Sequence, residues 1–369
     1  MREPGLPRTV HLRPGEPAPW FTARSTRNEQ FKFDTAAGRY IVLCIFGSSS
    51  SPASRQVLED FERNRACFTE ENILFCGVST DPDDEHRDLV PQLGPGILYF
   101  WDFDREISRL YGAVGAAADG ISREDDRPCS VVLDMSLRTL AVYPFGDTPE
   151  AHVPRVLQLL GTLPPSTSVE GHAPVLVVPR VFEPELCREL IQLFEQNETS
   201  DSGFMREENG KTVGHINHSF KQRRDHEIAD ERIREATVVR IHDRLVPEIS
   251  KAFNFHATRI ERYLVCCYEA ATGDHFHPHR DNTTKGTSHR RFAVSIFLNS
   301  GEYDGGDVRF PEYGSKTYSA PTGGAVVFSC SLLHEAVPIT RGRRFVFLPF
   351  LYDDVAAELR DTNRQFLEQ

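Results

Sequence analysis

The chain has 369 residues, of which 39% are hydrophobic, and it carries a formal net charge of −12. This length predicts two domains, and the hydrophobic share is sufficient for two packed cores. The acidic balance argues against a general nucleic-acid-binding surface, because phosphate recognition needs clustered positive charge.

The sequence shows no sign of secretion or membrane insertion. The first fifteen residues lack the apolar core of a signal peptide, and the longest aliphatic run, Tyr40 to Phe46, is far shorter than a transmembrane helix. The eight cysteines have no paired spacing, since adjacent Cys266 and Cys267 would point to opposite faces of a strand. We therefore predict a cytoplasmic protein with free, mostly buried thiols.

The first 162 residues alternate strand and helix signals. Continuous apolar runs such as Tyr40–Phe46 are typical of strands buried on both faces. The predicted strands are 40–46, 72–78, 98–101, 130–134 and 138–143, and the predicted helices are 52–67 and 149–160. This alternation predicts an α/β domain over residues 1–162.

Residues 163–170 form a linker rich in proline and serine, and a second domain, 171–369, follows it. Its predicted early elements are a strand at 175–178, amphipathic helices at 183–196 and 230–253, and a mobile loop at 200–218. Pro247 is expected to kink or end the second helix. From residue 259 onward short strands and turns predominate, which predicts an all-β core with supporting helices.

Three residues in this all-β region have the chemistry of a metal site. His279 and Asp281 alternate along an extended segment, so their side chains would share one face. His334 supplies a third ligand from a different strand. Two imidazoles and one carboxylate leave open positions on an iron(II) ion, the arrangement of non-haem oxygenases.

His275 and His277 precede His279 at the same spacing of two, so an ideal strand would place all three imidazoles on one face. A site built on His277 and His279 is therefore a rival to the His279–Asp281–His334 assignment. An arginine ten residues after His334 favours the latter. Arg344 would share a strand face with Val346 and Leu348, and a guanidinium binds a carboxylate through two parallel hydrogen bonds.

Motifs between Arg259 and Tyr352 follow one another in a characteristic order: Tyr268, Gly273-Asp-His-Phe276, His279-Arg-Asp281, Ser295-Ile-Phe-Leu-Asn299, Gly305-Gly-Asp-Val-Arg-Phe-Pro311, His334-Glu-Ala-Val-Pro338 and Gly342-Arg-Arg344. This segment resembles the 2-oxoglutarate- and iron(II)-dependent oxygenases, within them the prolyl 4-hydroxylase-like group. The resemblance implies a double-stranded β-helix (jelly roll) and hydroxylation of a C–H bond, with succinate and CO2 as coproducts.

The same resemblance implies Fe(II), 2-oxoglutarate and O2 as cofactor and cosubstrates, with ascorbate as a further cofactor. It makes His279, Asp281 and His334 the metal ligands, Arg344 the partner of the distal carboxylate of 2-oxoglutarate, and Tyr268 a further cosubstrate contact. The substrate is left open between a prolyl or other residue of a protein and a small molecule. The alternative is a non-catalytic binding or scaffold protein built on the same folds.

The front half carries a second set of motifs. Gly15-Glu-Pro-Ala-Pro19, the buried strand to Phe46, and Arg127-Pro-Cys-Ser-Val-Val-Leu-Asp134 resemble the peroxiredoxin and thioredoxin-like fold. Aligned on that pattern, Ser51 and Ser54 occupy the two cysteine positions, and Pro128 matches the cis-proline position. A serine alcohol cannot form a sulfenic acid or a disulfide.

We therefore expect this domain to be redox-inactive. Cys44 and Cys129 are predicted to be buried structural thiols. The domain could scaffold the oxygenase, form a homodimer or bind a partner. A basic cluster in the second domain, Lys221-Gln-Arg-Arg224, could be solvated surface or could meet an anionic ligand.

Overall fold

The computed structural model describes residues 12–86, 94–115, 125–146 and 148–367, and the chain divides into two compact units. The first unit holds Met1–Gly171 with Pro311–Ser315, and the second holds His172–Phe310 with Lys316–Gln369. Most of the N-terminal segment considered above as a signal peptide, residues 1–11, lies outside the described residues. None of the described helices has the length and apolar character that a membrane span requires.

The first unit is an α/β structure. In chain order its described elements are β1 (Thr22–Ala23), β2 (Phe31–Lys32), β3 (Tyr40–Gly47), α1 (Pro52–Arg63), β4 (Ile73–Ser79), β5 (Ile97–Trp101), α2 (Glu106–Leu110), β6 (Val114–Gly115), β7 (Asp125–Asp126), β8 (Cys129–Leu133), β9 (Thr139–Pro144) and α3 (His152–Leu160). Its main sheet has the order β5-β4-β3-β8-β9. Strands β3, β4 and β5 run parallel, whereas β8 and β9 pair antiparallel.

The sequence dictates this sheet directly. All eight residues of β3 are buried, as expected for a strand covered on both faces. Helix α1 begins at Pro52, whose fixed φ suits the first helical turn, and it packs Val57 and Phe61 into the core. The described residues contain no cis peptide bond, so the expectation of a cis bond at Pro128 was wrong.

The second unit is mostly β-structure with helices at its start. Its elements are β10 (Leu176–Val178), α4 (Pro184–Gln196), β11 (Ser200–Asp201), β12 (Phe204–Glu208), β13 (Lys211–His215), β14 (Lys221–Gln222), β15 (Arg224–Glu227), α5 (Glu231–Arg240), α6 (Val246–Phe253), β16 (Arg259–Glu261), β17 (Leu264–Glu269), β18 (His275–His279), β19 (Phe292–Phe297), β20 (Asp304–Gly305), β21 (Val308–Arg309), β22 (Thr317–Tyr318), β23 (Ala325–Ser329), β24 (His334–Ala336), β25 (Ile339–Arg341), β26 (Arg343–Phe347), β27 (Phe350–Tyr352) and α7 (Asp354–Asn363).

Two antiparallel sheets hold most of these strands, and β12-β13 and β20-β25 form separate two-stranded pairs. The larger has the order β10-β23-β19-β26-β17-β15-β11, with β27 pairing to both β16 and β19. The smaller has the order β14-β18-β24-β21-β22. Helices α4, α5 and α6 pack apolar residues such as Leu190, Ile233 and Ile249 against the larger sheet, where Phe347 belongs to the same core.

Two sequence predictions in this unit need correction or refinement. Residues 200–218 are not a loop, because β12 and β13 pair as a hairpin. Asn209 and Gly210 form its turn with φ values of 48° and 75°, and Asn-Gly is a strong signal for such a turn. Pro247 lies in the first turn of α6, where its lack of an N–H is tolerated. A wide π-helical turn, Ile241–Leu245, separates α5 from α6.

Candidate metal and cosubstrate site

The three predicted ligands lie together in the second unit. His279 ends β18 and is paired directly with His334 at the start of β24. Asp281 reaches both imidazoles: Oδ1 is 3.6 Å from Nε2 of His279, and Oδ2 is 3.3 Å from Nε2 of His334. Their ligand atoms lie within 4.8 Å of one another, and no second such group of His, Cys, Asp or Glu occurs among the described residues.

Backbone carbonyls fix the orientation of both imidazoles. Nδ1 of His279 lies 2.8 Å from the carbonyl of His277, and Nδ1 of His334 lies 3.0 Å from that of Leu332. A carbonyl can only accept, so Nδ1 must carry the proton in each ring. Nε2 then presents its lone pair to the centre of the group, as a metal ligand must.

The strand carrying His279 is irregular, which separates the ligands from the other two histidines. The register of β18 against β24 shifts between Phe276 and His279, next to Pro278, which has no N–H for a regular ladder. Consequently Phe276 and His279 share a face, with their rings stacked 3.5 Å apart. His277 is exposed, with its ring 4.7 Å from that of His275. The rival pairing of His277 with His279 is therefore not formed.

The same irregularity corrects a step in the prediction for Asp281. The strand ends at His279, so Asp281 lies beyond it and not on a regular extended segment. Its main-chain N–H donates to the carbonyl of Cys330, 3.0 Å away, which holds the turn against the segment before His334. The carboxylate is thus placed by this turn, and strand alternation alone would not have located it.

Burial sets the protonation states of the group. Burial and, to a smaller extent, the neighbouring His279 together lower the pKa of His334 to about 4. Burial also acts to raise the pKa of Asp281, but the two imidazoles outweigh it and the net pKa is lowered. A neutral imidazole and an ionised carboxylate at neutral pH are the states that bind iron(II), so the donor set fits this ion.

Arg344 lies on β26, directly opposite Tyr268 on β17. It is 2% exposed, its Nε has no hydrogen-bond partner, and it forms no ion pair with any described carboxylate. Two other buried arginines differ: Arg223 pairs with Asp225, and Arg290 pairs with Glu261. A buried guanidinium without a carboxylate is costly, and a bound anion would satisfy it.

Aromatic rings and one glycine shape the space around Arg344. Its guanidinium carbon lies 5.2 Å from the ring of Tyr268 and 4.9 Å from the ring of Phe297. At Gly306 an added Cβ would come within 2.7 Å of the Arg344 side chain. Tyr303 also contacts this guanidinium. Burial raises the pKa of Tyr303, and the Arg344 guanidinium offsets part of that rise. Sequence reasoning had not identified Tyr303.

The basic cluster at 221–224 is not simply solvated surface. Lys221 and Arg223 are 4% and 5% exposed, whereas Arg224 is exposed. The Lys221 ammonium donates to the carbonyl of Gly203 and lies 4.6 Å from the ring of Phe276. Four polar residues in a row give no pattern in the sequence, and the pairing of β14 with β18 places Lys221 opposite Phe276.

In the first unit, the residues at the expected redox positions are engaged in structure. Ser54 is 1% exposed and donates to the carbonyl of Phe46 at 2.6 Å. Ser51 immediately precedes α1. Burial raises the pKa of both Cys44 and Cys129 to about 12, so neither thiol forms a thiolate near neutral pH.

Comparison with known proteins finds a family match in each part of the chain. Residues 14–136 match the model of the AhpC/TSA family, and residues 263–352 match that of the 2OG-Fe(II) oxygenase superfamily. A PKHD-type hydroxylase of Synechococcus sp. is 33% identical over 92 residues, which are 23% of this chain and 40% of that protein. The chain thus spans less than half the length of this relative.

Two solved structures illustrate the likeness. A prolyl-4-hydroxylase of Pseudomonas putida is 15% identical, with 49% of this chain and 92% of that chain covered and a TM-score of 0.37. The bacterioferritin comigratory protein of Xanthomonas campestris is 18% identical, with 38% and 90% covered and a TM-score of 0.34. The resemblance predicted from the motifs is confirmed by the two family matches, to the AhpC/TSA family in the N-terminal part of the chain and to the 2OG-Fe(II) oxygenase superfamily in the C-terminal part.

Proposed function

We propose that the C-terminal domain is a 2-oxoglutarate- and iron(II)-dependent dioxygenase that hydroxylates a C–H bond. The observation that carries the proposal is Arg344, a buried cation with no described carboxylate partner, in the same domain as the His279–Asp281–His334 group. A metal group alone would suit many reactions. A dicarboxylic cosubstrate, with one end at a metal and the other at an arginine, accounts for both features.

Each residue of the site has a defined role in this proposal. His279 and His334 present Nε2 of a fixed tautomer, and Asp281 adds one negative charge beside them. Arg344 binds the distal carboxylate of 2-oxoglutarate, with Tyr268 beside it. When bound, iron(II) with 2-oxoglutarate and O2 supplies the oxidising chemistry, and succinate and CO2 are released. Ascorbate would keep the iron reduced.

The two antiparallel sheets of the second unit fit a double-stranded β-helix, and we propose this fold for the domain. The substrate is a prolyl or other residue of a protein, or a small molecule. The hydroxylase name of the Synechococcus relative supports hydroxylation as the reaction type. We further propose a cytoplasmic location and a redox-inactive N-terminal domain that scaffolds, dimerises or binds a partner.

Succinate formation tests the proposal directly. The full-length protein is incubated with Fe(II), 2-oxoglutarate, O2 and ascorbate, and succinate is measured with and without extracts containing small molecules and peptides. His279→Ala, which removes one ligand, should reduce succinate to background. Products that gain one oxygen atom with the wild type but not with His279→Ala would identify the substrate.

The alternative function predicts a different result. If the wild type forms no more succinate than His279→Ala across a broad substrate set, the dioxygenase proposal is wrong. The protein would then be a binding or scaffold protein built on these two folds.

A further inference from the structure

A buried ion pair lies where the chain crosses from the smaller sheet to the larger one. Arg223 falls between β14, which pairs with the metal-site strand β18, and β15, which pairs with β17. Its Nε donates to Oδ1 of Asp225 at 2.8 Å, and its Nη2 donates to Oδ2 at 3.0 Å. None of the roles assigned so far explains why a charge pair is buried at this crossing.

A third bond connects this pair to the cosubstrate residues. Nη1 of Arg223 donates to the hydroxyl oxygen of Tyr268 at 3.2 Å. A guanidinium can only donate, so the hydroxyl must accept this bond, which leaves its single proton free to be donated elsewhere. No described residue accepts that proton.

The spare proton of Tyr268 lies next to a second spare donor. Tyr268 is paired directly with Arg344, whose buried Nε also has no partner. Buried donors without acceptors are rare in folded proteins, because each costs free energy. One carboxylate bound between the two residues would satisfy both donors.

We infer that Arg223 and Asp225 are positioning residues of the cosubstrate site. Asp225 fixes the plane of the Arg223 guanidinium through two bonds, and Arg223 fixes the Tyr268 hydroxyl so that its proton points toward the carboxylate bound by Arg344. The pair acts through Tyr268 and does not itself touch the cosubstrate. This inference rests on the proposed function, since it assigns the carboxylate to 2-oxoglutarate.

The test measures binding, not turnover, in the full-length protein loaded with nickel(II). Calorimetry gives the Kd for 2-oxoglutarate and for 2-oxobutanoate, which has the same 2-oxo acid group for the metal but no distal carboxylate. The double variant Arg223→Met with Asp225→Leu removes both charges of the pair, so that neither member is left buried alone. We expect binding of 2-oxoglutarate to weaken about tenfold, the loss of roughly one good hydrogen bond, with binding of 2-oxobutanoate unchanged.

Two further proteins separate positioning from a structural role. Arg224→Gln changes the exposed neighbouring arginine and should leave both Kd values unchanged. Tyr268→Phe should weaken 2-oxoglutarate binding about as much as the double variant. Combining it with the double variant should add little further loss, because both changes remove the same contact. Thermal unfolding of each protein shows whether the fold is retained.

The outcomes separate this inference from the proposed function. If the wild type binds 2-oxobutanoate and 2-oxoglutarate equally, the distal carboxylate has no site and the proposed function fails. If the wild type prefers 2-oxoglutarate and the folded double variant keeps that preference, the inference alone fails. Equal weakening of both ligands would show that the pair only supports the fold, and would also overturn it.

Discussion

The polar groups near the residues selected from the sequence differ between the two domains in whether they have partners within the protein. In the N-terminal domain, Ser54 donates to a strand carbonyl, and the hydroxyls of Ser49 and Ser79 both bind the buried carboxylate of Asp84. In the C-terminal domain, Nε2 of His279 and of His334 faces only the Asp281 carboxylate, an acceptor that cannot donate to a lone pair, and Nε of Arg344 has no hydrogen-bond partner. The polar groups of the first set have hydrogen-bond partners within the protein, whereas the second set includes groups that lack one.

This difference is more informative than residue type. Buried polar groups are normally satisfied within the protein, so a satisfied group needs no ligand to explain it. A buried polar group without a partner costs stability and indicates a ligand that would satisfy it. On this criterion the Ser54 hydroxyl of the N-terminal domain serves structure, whereas the surroundings of Arg344 in the C-terminal domain have the character of a ligand site.

The largest expected effect comes from removing the buried guanidinium of Arg344. Arg344→Met should raise the 2-oxoglutarate concentration needed for half-maximal succinate formation by about 100-fold, because a buried carboxylate loses its charge partner. Arg343→Met is the matched control. Its Nε is also unpartnered, but its guanidinium pairs with Glu195 at 3.0 Å, so its loss should leave the 2-oxoglutarate requirement unchanged. Similar requirements in both variants would remove the basis for the cosubstrate assignment.

The stability of the N-terminal domain should depend on pH through His152. Burial lowers the pKa of this imidazole to about 4, below its ordinary value of 6.5, and Nε2 lies 2.9 Å from Ser130 Oγ. Between these pH values the unfolded chain binds more protons than the folded one. Stability is therefore full above pH 6.5 and falls as the pH drops to about 4, by about 3 kcal/mol in all.

Tryptophan fluorescence during urea unfolding measures this effect, because the only tryptophans, Trp20 and Trp101, belong to the N-terminal domain. The difference in unfolding free energy between pH 7.5 and 4 should shrink in His152→Leu. Replacing the exposed His86 by leucine serves as the control and should not change it. An unchanged pH dependence in His152→Leu would show that His152 is not the titrating group.

Much of the site could be predicted from the sequence because its chemistry depends on residue types at fixed spacing. His279, Asp281, His334 and Arg344 were selected in this way, and the structure brings the first three together. The choice against His277 could not be made from spacing. It depends on the irregularity beside Pro278, which places Phe276 on the face of His279, and regular alternation predicts the opposite.

The fold was predictable where hydrophobic patterns are strong, as in β3 and α1, and less so where pairing decides the outcome. The hairpin at 204–215 is largely polar, so its strands lack an apolar pattern, although Asn209-Gly210 was an available turn signal. The burial of Arg223 depends on a strand that changes sheets, and nothing local in the sequence marks that crossing.

Lys221 offers a smaller test of the cost of burying a cation without a carboxylate partner. Its ammonium is buried with a carbonyl and an aromatic ring as neighbours, and no described carboxylate pairs with it. Burial lowers its pKa well below the ordinary value. Lys221→Met should therefore stabilise the protein at pH 7 by about 1–2 kcal/mol, since an apolar side chain of similar length avoids the desolvation cost.

Thermal unfolding of the full-length protein checks this expectation. Lys211→Met, at an exposed position in the same domain, should shift the midpoint little in either direction. Destabilisation by Lys221→Met would mean that this lysine is better satisfied than its contacts indicate.

The smallest effect is expected from introducing a thiol at Ser54 of the N-terminal domain. Ser54→Cys places sulfur where the thioredoxin-like pattern has a cysteine, but the side chain would be buried and would lose the bond to the Phe46 carbonyl, a cost of about 1 kcal/mol. Burial disfavours a thiolate, as it does at Cys44. Peroxide consumption with a thiol reductant should stay at the level of Ser54→Ala. Consumption above that level would show that one sulfur atom at this position is enough for peroxide chemistry, and the expectation that burial prevents it would be wrong.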